Sequence, residues 1–158
     1  MPSADNDQIE DEQRYRASAY ALLAALLRDA PEQALLEHVS ALSADGDEAL
    51  DELGQAMAAL AGAARAGETD RLQQEFNDLF IGIGKGEVVP YGSWYLTGFL
   101  MEKPLSDLRD DLQTLGFERS EKTREPEDHV AAIFEVFSVM IEDGSSLKQQ
   151  QVFFKNHM

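Results

Sequence analysis

One Asp-His pair, followed two helical turns later by a glutamate, is the group of residues in this sequence best suited to chemistry. Asp128 and His129 end the stretch Glu125-Pro126-Glu127-Asp128-His129, and Glu135 follows seven residues after Asp128. Residues seven apart lie on one side of a helix, so we expect Asp128, Ala132 and Glu135 to share a face. Two carboxylates among small side chains would admit a basic peptide or another helix. In a purely structural interpretation, Asp128 caps the helix and His129 satisfies a nearby backbone group.

Other chemical classes find little support in the residue pattern. A single histidine with distant carboxylates does not form a metal-ligand set. The Gly84-Lys85 pair lies in a glycine-containing loop, but Gly86 stands where a phosphate-binding loop needs serine or threonine. The chain has no cysteine, which excludes disulfides, thiolate metal sites and cysteine nucleophiles.

The elements that must position these residues are predicted to be helices. Proline suits the first position of a helix, so we expect a helix from Pro126 onwards. Its buried face is formed by apolar residues spaced three and four apart: Val130, Ile133, Phe134, Phe137, Met140 and Ile141. A short apolar helix is predicted over 94–101. The aromatic residues Tyr91, Trp94, Tyr95 and Phe99 cluster around it, either as core or as the wall of a binding groove.

The apolar spacing in the rest of the chain also predicts amphipathic helices with short connections. The first runs from about residue 9 to 28, and its main apolar stripe is Tyr15, Ala19, Leu22, Leu23 and Leu26. We therefore predict an all-α, bundle-like fold, in one domain overall. Its N-terminal helical part is 1–116, its polar hinge is 117–125, and the start of a C-terminal helical part is 126–158.

Charge and hydropathy narrow the range of partners. The net charge of −17 argues against nucleic-acid binding, which needs clustered Lys and Arg, and permits a basic partner. The longest apolar run, 17–27, is too short to cross a bilayer. Acidic residues precede the first basic residue, Arg14, which is the reverse of a signal peptide. We therefore expect a cytoplasmic protein with no stable membrane insertion.

Three stretches in order resemble the TorD/DmsD family, the cytoplasmic chaperones that mature molybdenum-containing redox enzymes. They are Glu75-Phe76-x-x-Leu79-Phe80-x-Gly82, then Pro90-Tyr91-x-Ser93-x-Tyr95-Leu96, then Glu125-Pro126-x-Asp128-His129 followed by Glu135. The resemblance extends from about Arg14 to the C-terminus.

The resemblance implies an all-helical chaperone without enzymatic turnover. Such a protein binds the twin-arginine signal peptide and the apo-form of a molybdenum-containing reductase or dehydrogenase, delays export and assists cofactor insertion. Weak guanine nucleotide binding is also implied, without any other cofactor or metal. The implied peptide-binding residues are Tyr91, Ser93, Trp94, Tyr95, Pro126, Asp128, His129 and Glu135. Carboxylates beside an aromatic groove would complement both the arginine pair and the apolar run of such a peptide.

Two features depart from the family pattern. The family continues for several helices after a Phe-x-x-His segment, whereas here the chain ends at Met158, so we expect Val152 and Phe153 to have few partners. Exchange of a segment at the 117–125 hinge would supply them, giving a monomer or a segment-exchanged dimer. Gly92 replaces a bulkier or acidic residue. Two other interpretations remain: a helical scaffold or regulatory protein without a peptide groove, and a small helical enzyme or metal site that uses Asp128, His129 and Glu135.

Overall fold

The computed structural model describes residues 4–42, 52–82, 86–118 and 125–158, with side chains from residue 10 onwards. Within these ranges the chain forms α-helices and one π-helical turn, Asn77–Ile81, which confirms the predicted all-α fold. The α-helices are α1 Ala4–Arg28, α2 Gln33–Ser40, α3 Glu52–Ala66, α4 Thr69–Phe76, α5 Gly92–Thr97, α6 Lys103–Thr114, α7 Val130–Glu142 and α8 Leu147–His157.

The chain divides into two compact units. The first contains Met1–Arg28 and Val89–Met158, and the second contains Asp29–Val88. This division does not follow the predicted boundary at 117–125. Most of that predicted hinge, residues 119–124, lies outside the described residues, so the hinge and the segment exchange stay predictions.

Helix α7 is the central element of the first unit. Four of the six residues of its predicted apolar face are buried, with Phe137 and Met140 each only 1% exposed, whereas Val130 and Phe134 are half-buried. The helix begins at Val130 and not at Pro126, so the predicted start was wrong by a full turn. His129 is its N-cap, and the ring Nδ1 accepts a hydrogen bond from the Ala131 N–H at 3.1 Å. The imidazole thus satisfies a backbone group, as the structural interpretation expected, and residues 125–128 are left to form a turn.

Helix α1 packs along α7 through its small residues. Ala17 and Ala24 are buried, and the Ser138 hydroxyl donates to the Ala17 carbonyl at 2.8 Å. The predicted stripe is therefore only partly right, because Tyr15 and Leu23 lie at the surface. Alanines allow the two backbones to approach closely, and among the bulky residues of α1 Tyr20 packs against the rings of Phe134 and Phe137.

Helix α8 completes the core of this unit. Ser146 and Gln149 form a capping box at its start. Phe153 is buried and stacks on Phe137 with ring centroids 6.1 Å apart, so the expectation that Phe153 lacks partners was wrong. Val152 is exposed, as expected. The core residues are Ala17, Leu108, Leu112, Ile133, Phe137, Met140, Ile141 and Phe153.

The second unit is built from α2, α3 and α4. Leu36, Val39, Ala61 and Phe76 are its buried apolar residues, and Phe76 contacts the ring of Phe80 in the π-helical turn at 4.8 Å. Gly86 lies so close to this turn that a Cβ there would be 2.5 Å from the Leu79 carbonyl oxygen, so only glycine fits. None of the described helices is long and apolar enough to cross a membrane.

Candidate functional site

The candidate site forms where the start of α5 meets the turn before α7. The Val130 N–H donates to the Pro90 carbonyl at 2.8 Å, and the Gly92 N–H donates to the Asp128 carbonyl at 2.9 Å. Tyr91 and His129 pair across these bonds as an isolated antiparallel bridge. Two of the three motifs singled out in the sequence are therefore joined through their backbones.

Asp128 fixes this junction with its side chain. Its Oδ2 accepts hydrogen bonds from the Ser93 N–H at 2.9 Å and from the Ser93 hydroxyl at 2.5 Å. Both residues are buried, Asp128 being 3% exposed. The carboxylate therefore caps α5, where a negative charge favours the N-terminal end of the helix. The expectation that Asp128 caps its own helix was wrong, because the turn directs the side chain to α5.

Tyr91 closes the junction on the side of Glu125. Its phenol donates a hydrogen bond to the Glu125 carboxylate, and its ring meets the His129 imidazole edge-on at 5.1 Å. Burial, and secondarily the hydrogen bond to Glu125, raise the pKa of Tyr91 well above its usual range. The phenol therefore stays protonated and keeps donating at physiological pH.

A groove with an acidic rim and an apolar floor lies along α6 and α7. We call it the acidic groove, and its volume is about 820 Å³. Its carboxylates come from Glu118, Glu125, Glu127 and Glu135, and its floor from Leu112, Phe117, Pro126, Ala132, Val136 and Val139.

Two arginines already pair with carboxylates of the acidic groove. Arg109 donates to Glu127 Oε2 from Nε at 3.0 Å and from a terminal nitrogen at 2.8 Å. This hydrogen bonding raises the pKa of Arg109, and burial acts in the opposite direction. Arg28 pairs with Glu135, whose side chain is 55% exposed. The rim thus presents carboxylates in an orientation that guanidinium groups can reach.

A second cavity lies on the opposite side of α6. We call it the aspartate pocket, and its volume is about 700 Å³. Its acidic residues are Asp107, Asp110, Asp111 and Asp128, its basic ones are Lys103, Lys155 and His157, and Ser93 and Leu96 line it too. His157 bonds Asp111 at 2.7 Å and Lys103 pairs with Asp107.

The structure distributes the predicted site residues over several surroundings. Ser93 and Asp128 are buried at the junction and line the aspartate pocket, whereas Pro126 and Glu135 line the acidic groove. Asp128 and Glu135 do not share a face, because α7 starts after Asp128. Trp94 and Tyr95 are not among the residues that line the acidic groove, and Tyr95 is 68% exposed.

The predicted set lacks several groove residues. Glu125 and Glu127 were interpreted as the start of a helix, and Glu118 and Arg109 gave no signal of their own. The hint of an acidic turn in the sequence is Pro126, which lies between Glu125 and Glu127 and is followed by Asp128.

No group of acidic or histidine side chains able to hold a metal ion occurs in the described part of the chain. Residues 83–85, which include Gly84 and Lys85, lie outside the described part of the chain. Asp128 lines the aspartate pocket and Glu135 lines the acidic groove, so these two carboxylates lie in different surroundings.

Comparisons with known proteins agree on one family. Residues 39–158 match the model of the family described as nitrate reductase delta subunit. The chaperone protein TorD of Aliivibrio fischeri is 37% identical over 62 residues, which are 38% of this chain and 29% of that protein. TorD of Vibrio parahaemolyticus is 29% identical over 82 residues, 51% of this chain and 38% of that protein. The matches thus span less than half the length of these curated relatives.

A solved structure has the same fold. It is the crystal structure of a protein described as a redox enzyme maturation protein, from Archaeoglobus fulgidus. It aligns with a TM-score of 0.58 at 17% identity, over 90% of this chain and 91% of that one. The family match, which covers most of the chain, and the two TorD relatives lead to one conclusion: the chain belongs to the nitrate reductase delta subunit family and is of the TorD/DmsD type.

Proposed function

We propose that this protein is a cytoplasmic chaperone that binds the twin-arginine signal peptide of a molybdenum-containing redox enzyme in the acidic groove. It would act without catalytic turnover, holding the unassembled enzyme back from export while its cofactor is inserted. The observation that supports this most directly is the combination of four glutamates and an apolar floor in a single groove.

The rim suits the arginine pair. A guanidinium and a carboxylate form two parallel hydrogen bonds, which combine strength with a defined orientation. Within the chain, Arg109 donates twice to one oxygen of Glu127 and Arg28 pairs with Glu135, so both carboxylates can accept from guanidinium groups. Glu127 is mostly buried, with 16% of its side chain exposed, so its charge is screened less by solvent than that of Glu135.

The floor suits the apolar run that follows the arginines. Phe117, Val136 and Val139 present aliphatic and aromatic area beside the carboxylates. Burial of such area contributes about 25 cal/mol per Å² removed from water. A peptide that is charged at one end and apolar at the other can therefore satisfy both parts of the groove.

The junction residues would then act by positioning. Asp128 and Ser93 are already bound to each other and buried, so we assign them to holding the junction and not to the first contact with a peptide arginine. Tyr91 orients Glu125 at the rim. We retain weak guanine nucleotide binding as a further proposal that follows from the family resemblance alone.

Calorimetric titration of the protein with a twin-arginine signal peptide tests this function. Matched peptides with Lys-Lys and Gln-Gln in place of Arg-Arg are the controls. We expect saturable binding that is roughly tenfold or more weaker for Gln-Gln, with Lys-Lys intermediate because lysine lacks the planar fork. Equal affinity for the Arg-Arg and Gln-Gln peptides would contradict the proposed function.

A further inference from the structure

A second surface of the first unit exposes an unusual amount of apolar side chain. Five residues at the end of α5 and in the following turn form it: Tyr95, Leu96, Phe99, Leu100 and Met101. Their exposed fractions are 68%, 69%, 67%, 48% and 71%. Scattered exposed apolar residues are ordinary, but a contiguous group of this kind marks an interaction surface. We call it the apolar patch.

The backbone brings these side chains out together. Helix α5 ends at Thr97, and Gly98 takes the left-handed conformation at φ +80°. Met101 has a positive φ of +58°, which is uncommon for a residue with a side chain. The turn between α5 and α6 therefore displays Phe99, Leu100 and Met101 on the surface instead of folding them into the core.

The surroundings of the apolar patch define the charge of its partner. Leu96 belongs both to the patch and to the wall of the aspartate pocket. That wall carries four aspartates against Lys103, Lys155 and His157. Asp128 Oδ1, which is buried, has no hydrogen-bond partner among the described residues. A partner that places a basic side chain beside the apolar contacts complements this arrangement.

We propose that the apolar patch binds a segment of the client enzyme other than its signal peptide, one with apolar side chains next to lysine or arginine. This inference rests on the proposed function and adds a second contact with the same client. Aromatic and methionine side chains adapt well to unfolded or partly folded partners. None of the five patch residues lines the acidic groove, so the two segments would bind at separate surfaces.

A second copy of the chain fits this surface poorly. Each copy carries a net charge of −17, and the pocket beside the patch is itself acidic, so two copies would repel each other there. A client segment with basic residues gains from the same field. Its binding is therefore expected to weaken as salt is raised.

The test compares two probes: cofactor-free trimethylamine-N-oxide reductase lacking its signal peptide, and a twin-arginine signal peptide alone. The variant is Phe99→Ser with Met101→Ser, which changes only exposed side chains outside the implied peptide-binding set. The matched control is Tyr15→Ser with Leu23→Ser, two exposed apolar residues on α1. Binding is measured by surface plasmon resonance, and oligomeric state by light scattering.

We expect the patch variant to bind the reductase roughly tenfold more weakly than the unmodified protein, with signal-peptide affinity unchanged. The control variant should change neither the affinity for the reductase nor the affinity for the signal peptide. Unchanged reductase binding in the patch variant, or no reductase binding by an unmodified protein that binds the signal peptide, would overturn the inference and leave the proposed function intact. Self-association that the patch variant abolishes would also overturn it. Absence of signal-peptide binding would instead count against the proposed function.

Discussion

Asp128 holds the candidate site together by capping a helix that lies 35 positions earlier in the chain. Its Oδ2 takes both hydrogen bonds from Ser93, and its backbone carbonyl takes a third from Gly92. Because all of these groups are at the junction between α5 and the turn before α7, one carboxylate determines how the two segments meet. Its contribution is to stability and to the shape of the site, while the exposed glutamates would contact the peptide.

Replacing Asp128 by alanine is expected to lower the free energy of unfolding by about 1–3 kcal/mol, because the buried Ser93 N–H and hydroxyl lose their acceptor. Urea denaturation followed by circular dichroism measures the change. Asp107→Ala is the control, since Asp107 is exposed and paired only with Lys103, and it should cost less than about 1 kcal/mol. Equal losses in the two variants would show that Asp128 does not cap α5.

At the scale of the elements, α7 and α8 carry most of the core through their aromatic residues. The ring centroid of Phe137 lies 4.7 Å from that of Tyr20, 6.1 Å from that of Phe153 and 5.9 Å from that of Phe154. Helix α8 has only 11 residues, so we expect its cap to matter for the whole helix. In that cap the Ser146 hydroxyl accepts from the Gln149 N–H, and the Gln149 side chain accepts from the Ser146 N–H.

Ser146→Ala is therefore expected to destabilise the protein by about 1 kcal/mol, the usual cost of losing an N-cap. Amide hydrogen exchange should locate the loss of protection in α8, with α1 nearly unaffected. Ser145→Ala is a matched control in the same turn, because its carbonyl, which accepts from Gln150, remains. Uniform loss of protection across both helices would contradict a local role of the cap.

The sequence predicts these elements well where large apolar residues repeat at helical spacing. Leu105, Leu108 and Leu112 in α6 are buried as their pattern indicates. Helix α1 is harder, because alanine and leucine surround it on most sides and no single face stands out. There, close approach to α7 selects Ala17 and Ala24 for burial, and Tyr15 is exposed.

The site is less predictable, for a physical reason. The hydrogen bonds of Ser93 to Asp128 join residues far apart in sequence, and no periodic pattern encodes such a contact. The predicted helix start at Pro126 was wrong because proline favours a turn as well as the first position of a helix. Consequently the sequence predicts Glu125 and Glu127 at a helix start, whereas the structure places them in the turn that lines the acidic groove.

For the whole molecule, the effect of the net charge of −17 on binding depends on where the charged residues lie. Part of it surrounds two cavities on either side of α6, each next to apolar surface. An acidic field attracts basic segments and speeds their association. The proposed function and the proposed role of the apolar patch both require acidic residues next to apolar surface. The central claim is that carboxylates of the acidic groove bind the arginine pair.

A double-mutant cycle between Glu135→Gln and the Arg-Arg to Gln-Gln peptide change tests that claim most directly, with Glu142→Gln, another exposed glutamate of α7, as the control. Calorimetry is expected to give a roughly three- to tenfold loss of affinity for the Arg-Arg peptide in Glu135→Gln, no loss for the Gln-Gln peptide, and no effect of Glu142→Gln. An equal loss for both peptides, or none for either, would place the arginine pair elsewhere and contradict the account.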